Sequence, residues 1–190
     1  AISRCWFGDA LWRASEAGGL DLRFLQRVDR SPLLAIVTHA SPPSYYFVGD
    51  NSADLHFDPG ALPHGWQRQV SWVHFGGISL AREPLAGRLV ALASELHAAG
   101  VPISYDPNYR NLMDERYLAT FEHMCRLASV IKLSDEDLAG LMQDAEPEVA
   151  LKAVRDWNPQ AWWLYTEGAK GAHLFTPQGH WQARSPAITV

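Results

Sequence analysis

Val101-Pro-Ile-Ser-Tyr-Asp-Pro-Asn-Tyr-Arg110 is the stretch of this 190-residue sequence around which the fold can be predicted. Its first half supplies the β-branched and aromatic residues of a short strand. Asp106, Asn108 and Arg110 then alternate around Pro107. The carboxyl ends of strands in an open α/β sheet face the ligand crevice, so these side chains could fix a polyol and a developing negative charge. A solvated strand-to-helix turn capped by Asp106 explains the same pattern.

The sequence around this stretch alternates between strand-like and helix-like segments. The predicted strands span residues 70–75, 101–105, 129–133 and 161–165, and the predicted helices span residues 84–99, 114–127 and 146–157. Ser134, followed by three acidic residues, predicts the start of a further helix. Residues 172–175 are predicted to pair with residues 180–183. This order predicts an α/β fold: a parallel sheet flanked by helices, with right-handed crossovers.

The N-terminal part follows a different pattern. Residues 7–17 predict a helix that ends at Gly18-Gly19, and residues 33–38 and 45–48 predict strands, with residues 53–57 as a possible third. Short strands joined by turn-forming residues predict a small antiparallel sheet. We therefore expect residues 31–57 to form a lobe or cover, and residues 1–30 and 58–190 to form the core. The aromatic run from Tyr45 to Phe47 suits packing within the sheet as well as ligand contact.

The composition excludes several classes of protein. Hydrophobic residues make up 47% and charged residues 19%, which is typical of a folded globular protein. The net charge of −5 argues against general binding to nucleic acid or to an anionic membrane. Two distant cysteines, Cys5 and Cys125, predict neither a disulfide framework nor a cysteine zinc site, and favour a reducing cytoplasm. The sequence shows no membrane-length apolar run and begins without the features of a signal peptide.

Two further polar clusters follow predicted strands. Ser134-Asp-Glu-Asp137 could hold Mg²⁺ through water, or could simply be the acidic first turn of a helix. Thr166-Glu-Gly-Ala-Lys-Gly171 could bring backbone amides close to phosphate oxygens, or could be a glycine hairpin turn. The sequence contains no nucleophile elbow, no phosphate loop of the Gly-x-x-x-x-Gly-Lys type and no histidine pair with metal-ligand spacing.

Taken together, these motifs resemble the ribokinase-like carbohydrate kinases, within them the branch of fructokinases and 2-keto-3-deoxygluconate kinases. The similar segments, in order, are Ser3-Arg4 with Phe7-Gly-Asp-Ala-Leu11 and Gly19-Leu-Asp21, His74-Phe-Gly-Gly-Ile-Ser-Leu80, Asp106-Pro-Asn-Tyr-Arg110, Lys132-Leu-Ser-Asp-Glu-Asp137 and Thr166-x-Gly168. The Asp-Pro-Asn-x-Arg segment is the most specific, and the shared order carries the resemblance.

The resemblance implies ATP-dependent phosphorylation of a sugar hydroxyl with Mg²⁺, in a Rossmann-like domain with a β-sheet lid that forms a homodimer. Fructose or a related hexose is the expected acceptor, because residues 44–57 contain no arginine to pair with a sugar acid. A 2-keto-3-deoxygluconate kinase is the alternative. A non-catalytic remnant that binds a sugar or a nucleotide is the alternative from another class.

The resemblance also implies roles for particular residues. Arg110 would face the sugar and the transferred phosphoryl group. The other implied sugar contacts are Asp106, Asn108, Tyr45 and Phe47, with Asn51 and Asp54 as less secure neighbours. The implied nucleotide contacts are Ser134, Thr166, Gly168 and Gly171. Asp137, with Glu136 nearby, would position Mg²⁺ through water.

Several departures from the family pattern bear on these roles. Asp137 stands where the family has glutamate, so its reach is one methylene shorter, and Ser134 replaces asparagine, as it often does in fructokinases. The family's Gly-Ala-Gly-Asp motif, whose aspartate takes the hydroxyl proton, would follow a strand such as residues 187–190 and is not in the sequence. The early strand with a sugar-binding aspartate is also missing. We therefore expect this chain to be a piece of a kinase of about 300 residues. Trp6 stands where many relatives have an acidic residue before the Phe-Gly pair, and nothing explains this tryptophan.

Overall fold

The computed structural model describes residues 1–40, 43–143 and 145–186. These residues form two compact units. The N-terminal unit comprises Ala1–Trp66 with Arg82–Arg88, and the sheet unit comprises Gln67–Ala81 with the chain from Leu89 onward. The strand predicted at residues 187–190 lies outside the described residues, and the assignment of residues 31–57 as a lid stays a prediction.

The N-terminal unit combines one helix with two small sheets. Its elements are β1 (Ile2–Ser3), α1 (Trp6–Ala17), β2 (Arg27–Val28), β3 (Leu34–Ala40) and β4 (Pro43–Val48). Strands β1 and β2 pair in parallel, whereas β3 and β4 pair antiparallel. The predicted helix and the predicted small antiparallel sheet are therefore confirmed. Helix α1 lies close to β1. A methyl group at Gly8 would stand only 1.7 Å from the carbonyl oxygen of Ser3.

The third strand predicted at residues 53–57 is wrong. Ala53–His56 form a 3₁₀ helix instead. The Leu55 amide donates to the carbonyl of Ser52, and the Phe57 amide donates to the carbonyl of Asp54. Ala53 and Leu55 are both buried, so their spacing of two residues imitates a strand although local hydrogen bonds turn the backbone.

The chain from residue 73 onward alternates strands and helices. Its elements are β5 (Val73–Gly76), α2 (Gly77–Leu80), α3 (Leu85–Ala98), β6 (Ile103–Asp106), α4 (Tyr117–Leu127), β7 (Val130–Ser134), α5 (Asp135–Leu141), α6 (Pro147–Asp156), β8 (Trp162–Thr166), β9 (Ala172–Thr176) and β10 (Gly179–Ala183). Within the described residues the sheet has the order β10-β9-β8-β7-β6-β5. Strands β5 to β8 are parallel, and β9 and β10 continue the sheet antiparallel. The predicted α/β fold is confirmed.

Helix α4 begins three residues later than predicted. Residues 114–116 form a turn in which the Asp114 carboxylate accepts hydrogen bonds from the backbone amide of Arg116, at 3.0 Å, and from its guanidinium. An aspartate that binds the backbone two residues on favours a turn before the helix. The helix therefore starts at Tyr117.

The core of the sheet unit lies against one face of the sheet. The strand register aligns Phe75, Tyr105, Ile131 and Trp163 across β5 to β8, and all four side chains are buried. The ring of Phe121 in α4 packs against Tyr105 with 6.2 Å between ring centroids. Alternation of buried and more exposed residues along each strand explains why helices cover this face.

Candidate active site

The strand register brings the three predicted polar clusters to one edge of the sheet. Gly76 at the end of β5 is paired with Asp106 at the end of β6. Ser134 at the end of β7 is paired with Thr166 at the end of β8. The carboxyl ends of three adjacent parallel strands, β6 to β8, therefore carry the clusters, and this is where open α/β sheets bind ligands.

Residues 106–110, called here the 106–110 turn, form a tight loop after β6. The Asp106 carboxylate accepts a hydrogen bond from the Asn108 amide at 3.0 Å, and Asn108 has a φ of 45°, which is uncommon for a residue other than glycine. The Arg110 guanidinium donates to Oδ1 of Asn108 at 2.9 Å and to the carbonyl oxygen of Tyr109 at 2.6 Å. The loop thus has the capped geometry of a simple turn, and it also holds the Asn108 and Arg110 side chains together.

Close packing fixes this turn against neighbouring backbone. A methyl group at Gly77 would stand 1.4 Å from the carbonyl oxygen of Pro107. A methyl group at Gly140 in α5 would stand 2.4 Å from the Tyr109 ring. Both positions therefore require glycine for the turn to sit where it does.

A lysine and two carboxylates link the turn to β7 and α5. The ammonium group of Lys132 lies 3.5 Å from the Asp106 carboxylate and 3.2 Å from Oδ2 of Asp137. The Tyr109 amide donates to Oδ1 of Asp137 at 2.7 Å. Ser134 and Asp137 also form a reciprocal capping box at the start of α5. The predicted short helix after Ser134 is thereby confirmed.

Asp137 is almost enclosed, with 6% of its side chain exposed. Burial would raise the pKa of Asp137, but hydrogen bonds from Ser134, the charge of Lys132 and the Tyr109 amide together hold that pKa below its ordinary value. The carboxylate is therefore charged at neutral pH, and both of its oxygens accept hydrogen bonds from protein donors.

These contacts bear on the predicted Mg²⁺ site. Mg²⁺ prefers oxygen ligands and keeps several of its waters. Asp137 is enclosed and lies beside an ammonium group, so it does not fit a carboxylate that reaches Mg²⁺ or its water shell. Glu136 is exposed and fits a contact through water. In the part of the chain that the structure describes, no group of three histidine, cysteine or acidic side chains is arranged to hold a metal ion.

Residues 167–171 form a hairpin turn between β8 and β9. The Glu167 amide donates to the carbonyl of Gly171 at 2.9 Å, and Gly168 and Gly171 have φ values of 53° and 116°. Gly168 is exposed, whereas Gly171 is buried with no room for a side chain beside Ala183. The segment is thus the glycine hairpin that the sequence allowed, and it follows Thr166, which the register of β7 and β8 pairs with Ser134.

The N-terminal unit contains a separate open cavity of about 1090 Å³. Its walls include Phe47 and Asn51, two of the predicted sugar contacts. Tyr45 stacks on Phe47 with 6.3 Å between ring centroids but does not belong to the described lining. Asp54 is engaged by the Arg82 guanidinium.

Charged residues that the sequence analysis missed also line this cavity. They are Arg4, Asp29, Arg30 and Asp50. Arg4 lies 3.6 Å from the Asp29 carboxylate, and Arg30 donates to His56 at 3.2 Å. Arg4 belongs to the first family-like segment but was given no role, and only the fold of the N-terminal unit brings it close to Asp29.

Among the described residues, no helix combines the length and the apolar character needed to span a bilayer.

An open, mostly parallel α/β sheet whose polar motifs share one carboxyl edge defines a class of nucleotide- and sugar-binding folds. The match to a family model is more specific. The chain belongs to the pfkB family of carbohydrate kinases, whose model matches residues 6–190. The resemblance that the motifs indicated is confirmed.

Three known proteins illustrate the similarity. The chain is 28% identical to a fructokinase from Escherichia coli over 171 residues, which is 87% of this chain and 55% of the relative. It is 26% identical to aminoimidazole riboside kinase from Salmonella typhimurium over 190 residues, which is 96% of this chain and 58% of the relative. The structure of fructokinase with bound ATP from Xylella fastidiosa matches in fold with a TM-score of 0.86, at 22% identity, over 100% of this chain and 60% of that one. The chain thus spans little more than half the length of these relatives.

Proposed function

We propose that the protein containing this chain transfers the terminal phosphoryl group of ATP to a hydroxyl group of a sugar, with fructose or a related hexose as the acceptor. One observation carries the proposal. In a member of a carbohydrate kinase family, the 106–110 turn presents an exposed asparagine and a guanidinium group at the carboxyl edge of the sheet. That edge is where an α/β sheet binds its ligand.

The proposed reaction is an in-line displacement. The sugar oxygen forms a bond to the terminal phosphorus, the bond between that phosphorus and the bridging oxygen of ADP breaks, and the hydroxyl proton passes to a general base. The motifs matched in this chain do not include that base. Arg110 would stabilise the charge on the transferring phosphoryl group, and Asn108 and Asp106 would hydrogen-bond sugar hydroxyls. Arg110 would thus be the catalytic residue of this segment.

The nucleotide would bind along the neighbouring strand ends. Thr166 and Ser134 supply hydroxyl groups there, although the Ser134 hydroxyl already accepts the Asp137 amide at 3.0 Å. Gly168 is exposed and has no side chain to keep a phosphate away, and Gly171 shapes the turn. Mg²⁺ would neutralise phosphate charge when bound, and the exposed Glu136 is the carboxylate here that suits a water-mediated contact.

Strands β3 and β4 would serve as a lid, residues 31–57, and as the interface of a homodimer. Tyr45, Phe47 and Asn51 would then contact the sugar. Exposed apolar side chains such as Val37 and Tyr46 support an interface, since a two-stranded sheet alone is marginally stable in water. A cytoplasmic location is proposed because Cys5 and Cys125 are both free thiols.

The test is ADP release by the natural protein that contains this chain, with ATP, Mg²⁺ and one of three acceptors. The acceptors are fructose, 2-keto-3-deoxygluconate and aminoimidazole riboside. We expect fructose to give the highest kcat/KM. Replacement of Arg110 by alanine is expected to lower kcat about 10²-fold to 10³-fold, the usual loss when one preorganised charge-stabilising group is removed.

Arg116→Ala is the matched control, because it removes the same group from a side chain that is 91% exposed and paired with Asp114. We expect this control to retain parental kcat. ADP release that does not depend on any sugar, or an Arg110→Ala variant as active as its parent, would contradict the proposal. Turnover on the sugar acid alone would reassign the acceptor, and no turnover on any sugar would favour a non-catalytic remnant.

A further inference from the structure

We propose that Asp137 and Lys132 form a clamp that fixes the 106–110 turn on α5, so that Asp137 is a positioning residue and not a carrier of Mg²⁺. The clamp is defined by these two side chains. Its existence depends only on the contacts of the sheet unit, whereas its consequence for catalysis rests on the proposed function.

Protein donors occupy most of the Asp137 carboxylate. Oδ2 accepts the Ser134 amide at 2.9 Å and the Lys132 ammonium group at 3.2 Å. Oδ1 accepts the Tyr109 amide at 2.7 Å. A carboxylate oxygen offers two lone-pair directions, so only one of four stays open, on a side chain with 6% exposure. An enclosed side chain with one open direction leaves little space for the water shell of a hydrated cation.

The contacts of Asp137 and α5 reach the middle of the 106–110 turn. The Tyr109 amide lies between Asn108 and Arg110, so the hydrogen bond to Asp137 fixes the backbone that carries both side chains. The Tyr109 ring packs on Gly140, three residues further along the same helix, which gives the turn a second contact with α5.

Lys132 links Asp137 to the first residue of the turn. Its ammonium group lies 3.5 Å from Asp106, the first residue of the turn, and 3.2 Å from Asp137. Contacts therefore run from Asp106 through Lys132 and Asp137 to Tyr109. A site needs such support, because displacement of about 1 Å can cost about a hundredfold in rate.

The clamp also accounts for aspartate in a position where glutamate was expected. The Asp137 carboxylate reaches the Ser134 amide within the capping box and the Tyr109 amide at the same time. A side chain longer by one methylene would carry the carboxylate away from one of these donors. Aspartate therefore suits the clamp better than it suits a distant metal.

The first arm of the test is amide hydrogen exchange of Tyr109, which needs neither substrate nor activity. We expect exchange at Tyr109 to accelerate by about tenfold or more in Asp137→Ala, since a fixed amide becomes free to open. Lys132→Met is expected to accelerate it less, and Glu136→Gln, at an exposed neighbour, is expected to leave it unchanged.

Unchanged exchange at Tyr109 in Asp137→Ala, with α5 still folded, would overturn the clamp. If Asp137→Ala does not fold, Lys132→Met decides the question, because it leaves the capping box intact. Parental exchange at Tyr109 in Lys132→Met would then overturn it.

The second arm separates positioning from metal binding by kinetics. In Asp137→Ala we expect a lower kcat and a higher KM for the sugar, with the Mg²⁺ concentration at half-maximal rate unchanged at fixed ATP. In Lys132→Met we expect the same pattern, and Lys132→Arg is expected to restore part of the loss. A higher Mg²⁺ requirement in Asp137→Ala, with rescue by excess Mg²⁺, would overturn the proposal. If the parent protein phosphorylates no sugar, the proposed function fails. Hydrogen exchange at Tyr109 still tests the clamp, because that measurement does not depend on activity.

Discussion

At the scale of single residues, two adjacent glycines differ sharply in what surrounds them. A methyl group at Gly77 would overlap the carbonyl oxygen of Pro107, whereas a methyl group at Gly76 meets no atom within 4 Å. The backbone of Gly76 has φ −109° and ψ 157°, which any residue adopts. We therefore expect Gly77→Ala to lower the free energy of unfolding by about 1–3 kcal/mol and Gly76→Ala to change it by less than about 0.5 kcal/mol. Chemical denaturation of both variants checks this, and equal stabilities would contradict the packing of the 106–110 turn.

Asp137 predicts a particular dependence of stability on pH. Its pKa is below the ordinary value in the folded protein, so its contribution is fully present above the unfolded pKa of 3.8 and is lost as pH falls through the folded pKa. Asp137→Asn should therefore be less stable than its parent at neutral pH, and the difference should shrink below pH 3.8. Urea unfolding at a series of pH values measures this. A difference that stays constant down to the folded pKa would contradict the assignment.

Sequence reasoning located Asp106, Ser134 and Thr166 at strand ends, because each follows a run of apolar residues. It did not find the contact between the Tyr109 amide and Asp137. These residues are 28 positions apart, and their contact depends on how β6 and α5 are placed in three dimensions. The same limit applies to Lys132, because no pattern in the sequence indicates its contacts with Asp106 and Asp137.

At the scale of elements, β8 shows the strand alternation in its simplest form. Its adjacent tryptophans differ, since Trp163 is 2% exposed and Trp162 is 49% exposed. We expect Trp163→Ala to lower the free energy of unfolding by about 3–5 kcal/mol, the usual loss for a buried aromatic residue. Trp162→Ala is expected to cost less than half of this. Urea denaturation of the two variants compares them, and the reverse order would mean that the register of β8 is wrong.

The predicted elements succeeded or failed for physical reasons. Strands β6 to β8 were predicted within about two residues, because each is rich in β-branched or aromatic residues and ends at a polar residue. The segment at Ala53–His56 failed because two buried residues spaced by two suit a strand and a 3₁₀ turn equally well. Its hydrogen bonds, and the contact between Arg82 and Asp54, are not visible in the sequence.

At the scale of the whole molecule, the order of the motifs was enough to predict the α/β fold and the family. Each motif alone is weak, but five of them in one order over most of the chain are specific. The cavity of the N-terminal unit could not be predicted, because Arg4 follows β1 whereas Asp29 and Arg30 follow β2, and these two strands come together only in the fold. The fold brings the charged side chains of this cavity together, and no motif predicts that they meet.

Direct observation of phosphoryl transfer tests the central claim. The natural protein that contains this chain would be incubated with ATP, Mg²⁺ and fructose, and the products followed by phosphorus NMR. We expect one new phosphate ester resonance, which grows in step with ADP and is absent without the sugar. ADP with free inorganic phosphate and no sugar phosphate, or no change in ATP with any acceptor tried, would contradict it.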